Sequence, residues 1–151
     1  MQSHCEFPIS SPDIHNYARW NGMIIGESGG PTNAQFASLW SQLAAHYKNS
    51  PVSNFPTYQL DLTRLQNVIF GIMNEPHDLI SLTDWATSVQ AAVTAIRQAG
   101  ATSQLILIPG SSYSSAQALP TEAGPDLLKV VDADGTTNKL IFDVHKVSRL
   151  R

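Results

Sequence analysis

Two kinds of hydrophobic segment alternate along these 151 residues. Residues 68–73 (VIFGIM) are mostly apolar without alternation, which suits a strand buried on both faces of a parallel sheet. Residues 104–109 (QLILIP) and 139–144 (KLIFDV) repeat that character. Stripes at helical spacing lie between them. Phe36, Leu39, Trp40, Leu43 and Tyr47 share one face of a helix predicted from Thr32 or Asn33 to about Lys48. Thr32 with Gln35 fits a capping box at its start. The stripe makes Trp40 a core residue and leaves His46 on a helix flank. Trp85, Val89, Ala92, Val93 and Ile96 mark a second helix, capped by Thr83 or Asp84 and ended by Gly100. Residues 126–131 read as a short third helix, and Asp134-Gly135 as a turn.

If a first strand ends near Ile14, strands and helices alternate along the whole chain, which implies a parallel sheet. Polar residues then follow each strand: His15-Asn16, Asn74-Glu75, residues 110–113, and His145. Polar groups beyond successive apolar strands are the layout of a (β/α)8 barrel's active face. A complete barrel takes about 250 residues, so this chain has material for roughly half. The expected fold is α/β, a partial (β/α)8 TIM barrel with parallel strands. Some stretches stand outside the pattern. Residues 1–11 show no period and are interrupted by Pro8. Residues 17–22 read as a loop dense in polar and aromatic groups, and 26–31 (GESGGP) as a turn without phosphate-loop spacing. Residues 49–67 are far longer than the usual helix-to-strand connection of about 2–6 residues.

Composition removes several function classes. With 42% hydrophobic and 14% charged residues, the balance is that of an ordinary globular chain. A net charge of −3 without any basic run argues against a nucleic-acid partner. Cys5 is the only cysteine, so neither an intrachain disulfide nor a cysteine zinc site can form. No apolar run reaches membrane-spanning length, so no membrane partner is expected. The first twenty residues show no signal-peptide pattern.

Glu75 is the leading catalytic candidate. Pro76 is expected to hold it extended at the strand's tip. A carboxyl backed by an apolar strand is suited to general-acid work, and Asn74 beside it can bind a hydroxyl. Tyr17, Trp20 and Tyr113 lie on loops of the same expected face, and aromatic faces stack on the apolar faces of sugars. His15 and His145 can bind hydroxyls or orient Glu75. The residues alone leave the bland roles open: a cap, a surface ion pair, rim histidines. A zinc site from His15, Glu75, His77 and His145 lacks ligand-pair spacing such as H-E-x-x-H. No G-x-S-x-G elbow supports a serine hydrolase.

The segments DIHNYARWNG, GGPTNAQFASLWSQLA, VIFGIMNEPHD, WATSVQAAVTAIRQAGATSQLILIPG and LIFDVHK resemble secreted fungal endoglucanases of glycoside hydrolase family 5. The resemblance spans residues 13–146 apart from one gap, and Asn-Glu-Pro is its specific signature. It implies a (β/α)8 barrel that cleaves β-1,4-glucan with retention, the strands here being the third to sixth. It implies that Glu75 is the proton donor, with Asn74 as its partner. It places His15 and His145 on the family's histidines after the third and sixth strands; with Asn16, Tyr17, Trp20 and Tyr113, read from their place on the same expected face, they are expected to bind a β-glucan or cello-oligosaccharide substrate. No cofactor or metal is implied, and the family is secreted. Two alternatives stand beside it: a non-catalytic glucan-binding remnant, and a mannanase of the same superfamily.

Retaining hydrolysis needs two carboxyls about 5–5.5 Å apart. The family's nucleophile follows the seventh strand, and no residue here matches it. Glu27, Asp78 and Asp143 do not occupy its position, and Val147 replaces the family's tyrosine. The family pattern breaks at Val52-Ser53 and again at Val147-Ser148, dipeptides whose codons can spell the start of an intron. Gln66 can be encoded by CAG, an intron's usual end. Residues 52–66 therefore read as a translated intron, 147–151 as an atypical tail, and 1–12 as an atypical extension before a partial catalytic domain at 13–146. Sequencing the transcript is expected to show a spliced message without codons 52–66; a mature message that keeps them overturns the reading. Half a barrel would also leave open strand edges, an aggregation hazard.

Overall fold

The computed structural model describes residues 11–49 and 68–146. The expectations placed on residues 1–10, on the 52–66 segment and on the 147–151 tail lie outside that set. At its centre is a parallel sheet of three strands in chain order: β3 (Phe70–Gly71), β4 (Ile106–Pro109) and β5 (Leu140–Asp143). Phe70 pairs with Ile106, and Ile106 in turn with Leu140. Residues 12–14 extend the sheet beyond β3. Asp13 bridges Gly71 in parallel, the Gly71 amide donates to Pro12 at 3.1 Å, and the Asn74 amide donates to Ile14 at 2.9 Å. Four chain segments thus run side by side in sequence order and in one direction, as the alternation predicted. Val68, Phe70, Ile72 and Met73 are all buried, which fits a strand covered on both faces. Among the described residues β5 pairs only with β4, and its Ile141 is exposed.

Helix α1 (Asn33–Tyr47) begins with the predicted capping box. The Gln35 amide donates to Thr32 Oγ1 at 3.2 Å, and the Thr32 amide donates to Gln35 Oε1 at 2.8 Å. Its buried line is Phe36, Trp40 and Ala44, with Trp40 edge-on to Phe70 at 6.0 Å. The predicted stripe was too wide: Leu39, at its margin, and Tyr47, in the last turn, are exposed. Helix α2 (Leu82–Gln98) buries all five predicted stripe residues, but its cap is Ser81 rather than Thr83 or Asp84. Ser81 Oγ accepts the Asp84 amide at 3.1 Å, so Asp84 sits in the first turn, where its charge complements the helix dipole. Glu27 supports the same helix entrance, its Oε1 accepting the amides of Ile80 and Ser81 at 3.0 and 3.1 Å.

At the other end of α2, Gly100 adopts φ +93°. Its amide donates to Arg97 and the Ala101 amide to Ile96, the two bonds of a Schellman ending. Gly100→Ala is expected to lower stability by about 1–2 kcal/mol through the left-handed backbone cost, read as a lower urea midpoint with an unchanged slope.

Arg97 itself is buried with Asp132. Its Nε donates to both Asp132 oxygens at 2.8 and 3.0 Å, its Nη2 donates to Oδ2 at 2.8 Å, and its Nη1 donates to the Ala101 carbonyl at 2.6 Å. This fork ties the last turn of α2 to the approach of β5. The hydrogen bonds from Arg97 hold the Asp132 carboxyl below the ordinary aspartate range. Asp132 also accepts the Gly135 amide on its carbonyl at 2.9 Å, closing the predicted Asp134-Gly135 turn, where Gly135 has φ +76°.

Two further expectations are corrected. Residues 17–22 are not simply loop: β1 (Arg19–Trp20) and β2 (Met23–Ile24) form an antiparallel hairpin. Asn21 and Gly22, at φ +49° and +78°, supply the two left-handed positions of its tight turn. The short helix α3 is Gly124–Leu127, not 126–131. Pro125, preset in φ and lacking an N–H, suits the first turn and moves the start earlier. No helix among the described residues is long and apolar enough to cross a membrane.

Candidate active site

The connections that follow the parallel segments carry most of the strained backbone. Tyr17, Ala18, Glu75, Asp78, Ser112, Tyr113 and Ser114 all have φ between +44° and +64°. Such residues cost energy and persist only where their surroundings over-determine them, which is typical of ligand-binding rims. Glu75 is among them, at φ +44°, so the extended backbone expected ahead of Pro76 is overturned. The bulk of Pro76 disfavours the right-handed helical region for Glu75. The left-handed region is the alternative taken, and it turns the carboxyl toward His145.

That turn makes the central contact of the site. Glu75 Oε1 lies 2.7 Å from His145 Nδ1, and both side chains are about one-third exposed. His145 Nε2 lies 3.5 Å from Asp143 Oδ1. On the other flank, Asn74 Nδ2 is 3.1 Å from His15 Nε2, and His15 Nδ1 is 3.5 Å from Asp13 Oδ2. Next to these runs an arc of rings. His15 meets Tyr17 edge-on at 5.7 Å, Tyr17 tilts against His77 at 5.5 Å, and His77 stacks on Tyr113 at 4.3 Å. Tyr17 and Tyr113 keep exposed faces.

Backbone bonds lock these loops together. The Tyr113 amide donates to Pro76, the His145 amide to Ser114, and the Ala116 amide to His145. Arg19 donates to the carbonyls of Tyr17 and His77 at 2.9 and 2.7 Å and, at 3.4 Å, to that of Asp78. Glu122 Oε2 accepts the hydroxyls of Ser111 and Ser112 at 2.7 Å each; these bonds, Ser112 first, hold its carboxyl below the ordinary glutamate range.

Six of the predicted site residues are therefore brought together: His15, Tyr17, Asn74, Glu75, Tyr113 and His145. Asn16 and Trp20 are placed differently. They line a neighbouring surface cavity of about 440 Å³, between the β1–β2 hairpin and α1, with Met23, Phe36 and Leu39. The sequence reading gave His77 no place among the binding residues, although it stacks at the heart of the ring arc, and it missed Arg19 and Glu122 altogether. The four residues weighed as a zinc set do not converge, and among the described residues no group of three His, Cys, Asp or Glu side chains gathers as a metal site.

The family description "Cellulase (glycosyl hydrolase family 5)" matches residues 62–148, more than half of the chain. The chain belongs to glycosyl hydrolase family 5. Its four parallel segments are accordingly a consecutive arc of that family's (β/α)8 barrel. Among curated relatives, it is 60% identical over 134 residues to the manganese dependent endoglucanase Eg5A of Phanerodontia chrysosporium, a match covering 89% of this chain and 30% of the relative. It is 53% identical over 135 residues to the endoglucanase EG-II of Hypocrea jecorina, covering 89% and 28%. The crystal structure of Cel5A (EG2) from Hypocrea jecorina superposes with a TM-score of 0.76 at 52% identity, over 90% of this chain and 36% of that one. That of Pseudomonas stutzeri Cel5A in complex with cellobiose superposes with a TM-score of 0.64 at 32% identity, over 88% and 33%. The chain thus spans about 30% of the length of the curated relatives it matches.

Proposed function

We propose that this chain is the proton-donor portion of an endo-β-1,4-glucanase, acting on internal bonds of cellulose or a related β-glucan. The observation that carries the reading is the Asn74–Glu75 pair at the tip of β3, with Glu75 held at 2.7 Å by His145. Glycoside hydrolysis needs an acid that protonates the departing oxygen and a second carboxylate that attacks the sugar carbon. Glu75 is the acid: its proton moves to the glycosidic oxygen as the C–O bond breaks. Asn74 and His15 bind sugar hydroxyls beside it, and Tyr17 and Tyr113 offer ring faces to the sugar's apolar face. The relatives' names support the substrate class, since each is called an endoglucanase. No residue of this sequence matches the family's nucleophile, so the double displacement belongs to the complete protein. A polymeric substrate cannot enter cells, which supports a location outside them for the protein that carries this segment.

Calorimetry with cellotetraose tests the binding half directly. The 151-residue chain is expected to bind it without releasing reducing ends. Absence of binding by a folded chain overturns the placement of the sugar site.

A further inference from the structure

Residues 112–114 are three consecutive left-handed positions, none of them glycine: Ser112 at φ +51°, Tyr113 at +61° and Ser114 at +54°. L residues visit this region singly and at a cost, so a run of three persists only where its surroundings hold it. The Ser115 amide closes the turn on the carbonyls of Ser111 and Ser112 at 3.3 and 3.2 Å. From one side, the Tyr113 amide donates to Pro76 and the His145 amide to Ser114. From the other, a single carboxylate oxygen grips it: Glu122 Oε2 accepts both the Ser111 and the Ser112 hydroxyl at 2.7 Å.

Glu122 is itself anchored. Its amide donates to Ala118 at 2.9 Å, and it stands two residues before α3. Thr83 Oγ1 donates to Asp126 Oδ2 at 2.9 Å, which ties α3 to α2. The carboxylate therefore reaches the turn from the helices. On the open side, the Tyr113 ring lies nearly parallel to that of His77, at 16° and 4.3 Å. The His77 side chain is mostly covered, and Arg19 fixes its carbonyl at 2.7 Å, whereas Tyr113 is half exposed. His77 is thus the backing and Tyr113 the open plate.

We infer that Glu122 is a positioning residue: by holding the 112–114 turn it seats the Tyr113 ring on His77 and presets the platform on which a sugar ring stacks. Its meaning for sugar binding rests on the glucan reading proposed above; the clamp itself does not. Hydrogen bonds to a carboxylate are stronger than those between neutral groups. One oxygen serving two successive residues fixes the step between them, and Tyr113 follows directly. A ring seated in advance need not be ordered when a ligand arrives, and that saving appears as affinity.

Amide hydrogen exchange on the full 151-residue chain tests the clamp without a ligand. The Tyr113 and Ser115 amides are expected to be protected in the parent chain. They are expected to exchange about tenfold faster in Glu122→Ala, which removes two bonds to a charged group. Glu122→Gln, whose amide oxygen still accepts, is expected to restore most of the protection. Ser112→Ala removes one of the two donors and should loosen the same amides, which keeps the test open if the Glu122→Ala chain does not fold. Unprotected amides in the parent chain overturn the proposal, and so does unchanged exchange in folded Glu122→Ala or Ser112→Ala.

Calorimetry with cellotetraose reads the consequence. Glu122→Ala is expected to weaken binding about tenfold, as when only about a tenth of the molecules present the platform. In a Tyr113→Ala background the same substitution should weaken binding no further, while its effect on the melting temperature persists. Equal weakening in both backgrounds overturns the proposal, because Glu122 then does not act through Tyr113. A parent chain that binds no cellotetraose fails the sugar reading alone, since the exchange results stand without a ligand.

Discussion

Arg97→Met is expected to cost the chain about 3–5 kcal/mol of stability, among the largest effects of any single substitution here. Methionine keeps much of the side chain's bulk but strands the Asp132 carboxylate in a buried position. The guanidinium donates three bonds to that carboxylate and one to the Ala101 carbonyl, and both ionic side chains are nearly sealed from water, at 2% and 5% exposure. A lone buried charge is what makes breaking such a pair expensive; the pair itself is worth far less. The double variant Arg97→Met/Asp132→Leu is therefore expected to recover most of the loss. Urea denaturation of the single and double variants checks both, and equal destabilisation of the two would contradict the ion-pair account. Acid adds a second signature. The folded-state pKa of Asp132 is lowered by the Arg97 bonds, so its contribution is fully present above the unfolded value of about 3.9. The contribution is lost as pH falls through the depressed folded value. The gap between the parent chain and Arg97→Met should accordingly narrow in that acid range and stay constant near neutrality.

Glu75→Gln is expected to lower β-1,4-glucan hydrolysis by about 10²–10⁴-fold in a family 5 protein that carries this segment together with a nucleophile, the range usual for losing a general acid. Glutamine keeps the shape and can still bond His145, but it has no proton to give. The loss should depend on the leaving group. A cellobioside of a strongly acidic phenol departs without protonation, so the variant should cleave it with a much smaller deficit. An equal deficit on glucan and on the activated glycoside would sink the general-acid role and leave Glu75 a structural part of the rim. The two assays separate these because a merely disordered site would slow both substrates alike.

The sheet and both long helices were legible in the sequence because each is a periodic run that buries one face or both. The unbroken apolar run at 68–73 and the stripe from Trp85 to Ile96 needed no distant partner to be recognised. The misreadings lie where local chemistry offered rivals. Ser81, Thr83 and Asp84 can all cap a helix, and only the spacing from Ser81 to the Asp84 amide decides. The hairpin was announced by Asn21-Gly22, a turn signal that the surrounding aromatic residues masked. The left-handed Glu75 contradicts the usual effect of a following proline, because the contact with His145 outweighs the local preference. That contact spans 70 positions and no spacing rule announces it. His77 was passed over for a similar reason: its meaning lies in stacking on Tyr113, which the return of the chain brings alongside.

Arg19 holds two loops through the carbonyl oxygens of Tyr17, His77 and Asp78. A fastening made to the main chain is indifferent to the side chains it passes under. Positions 17, 77 and 78 are thereby released from the duty of keeping the rim in shape. They form a small set of sites where descent or design can rewrite what the rim recognises while the frame that presents it stays put.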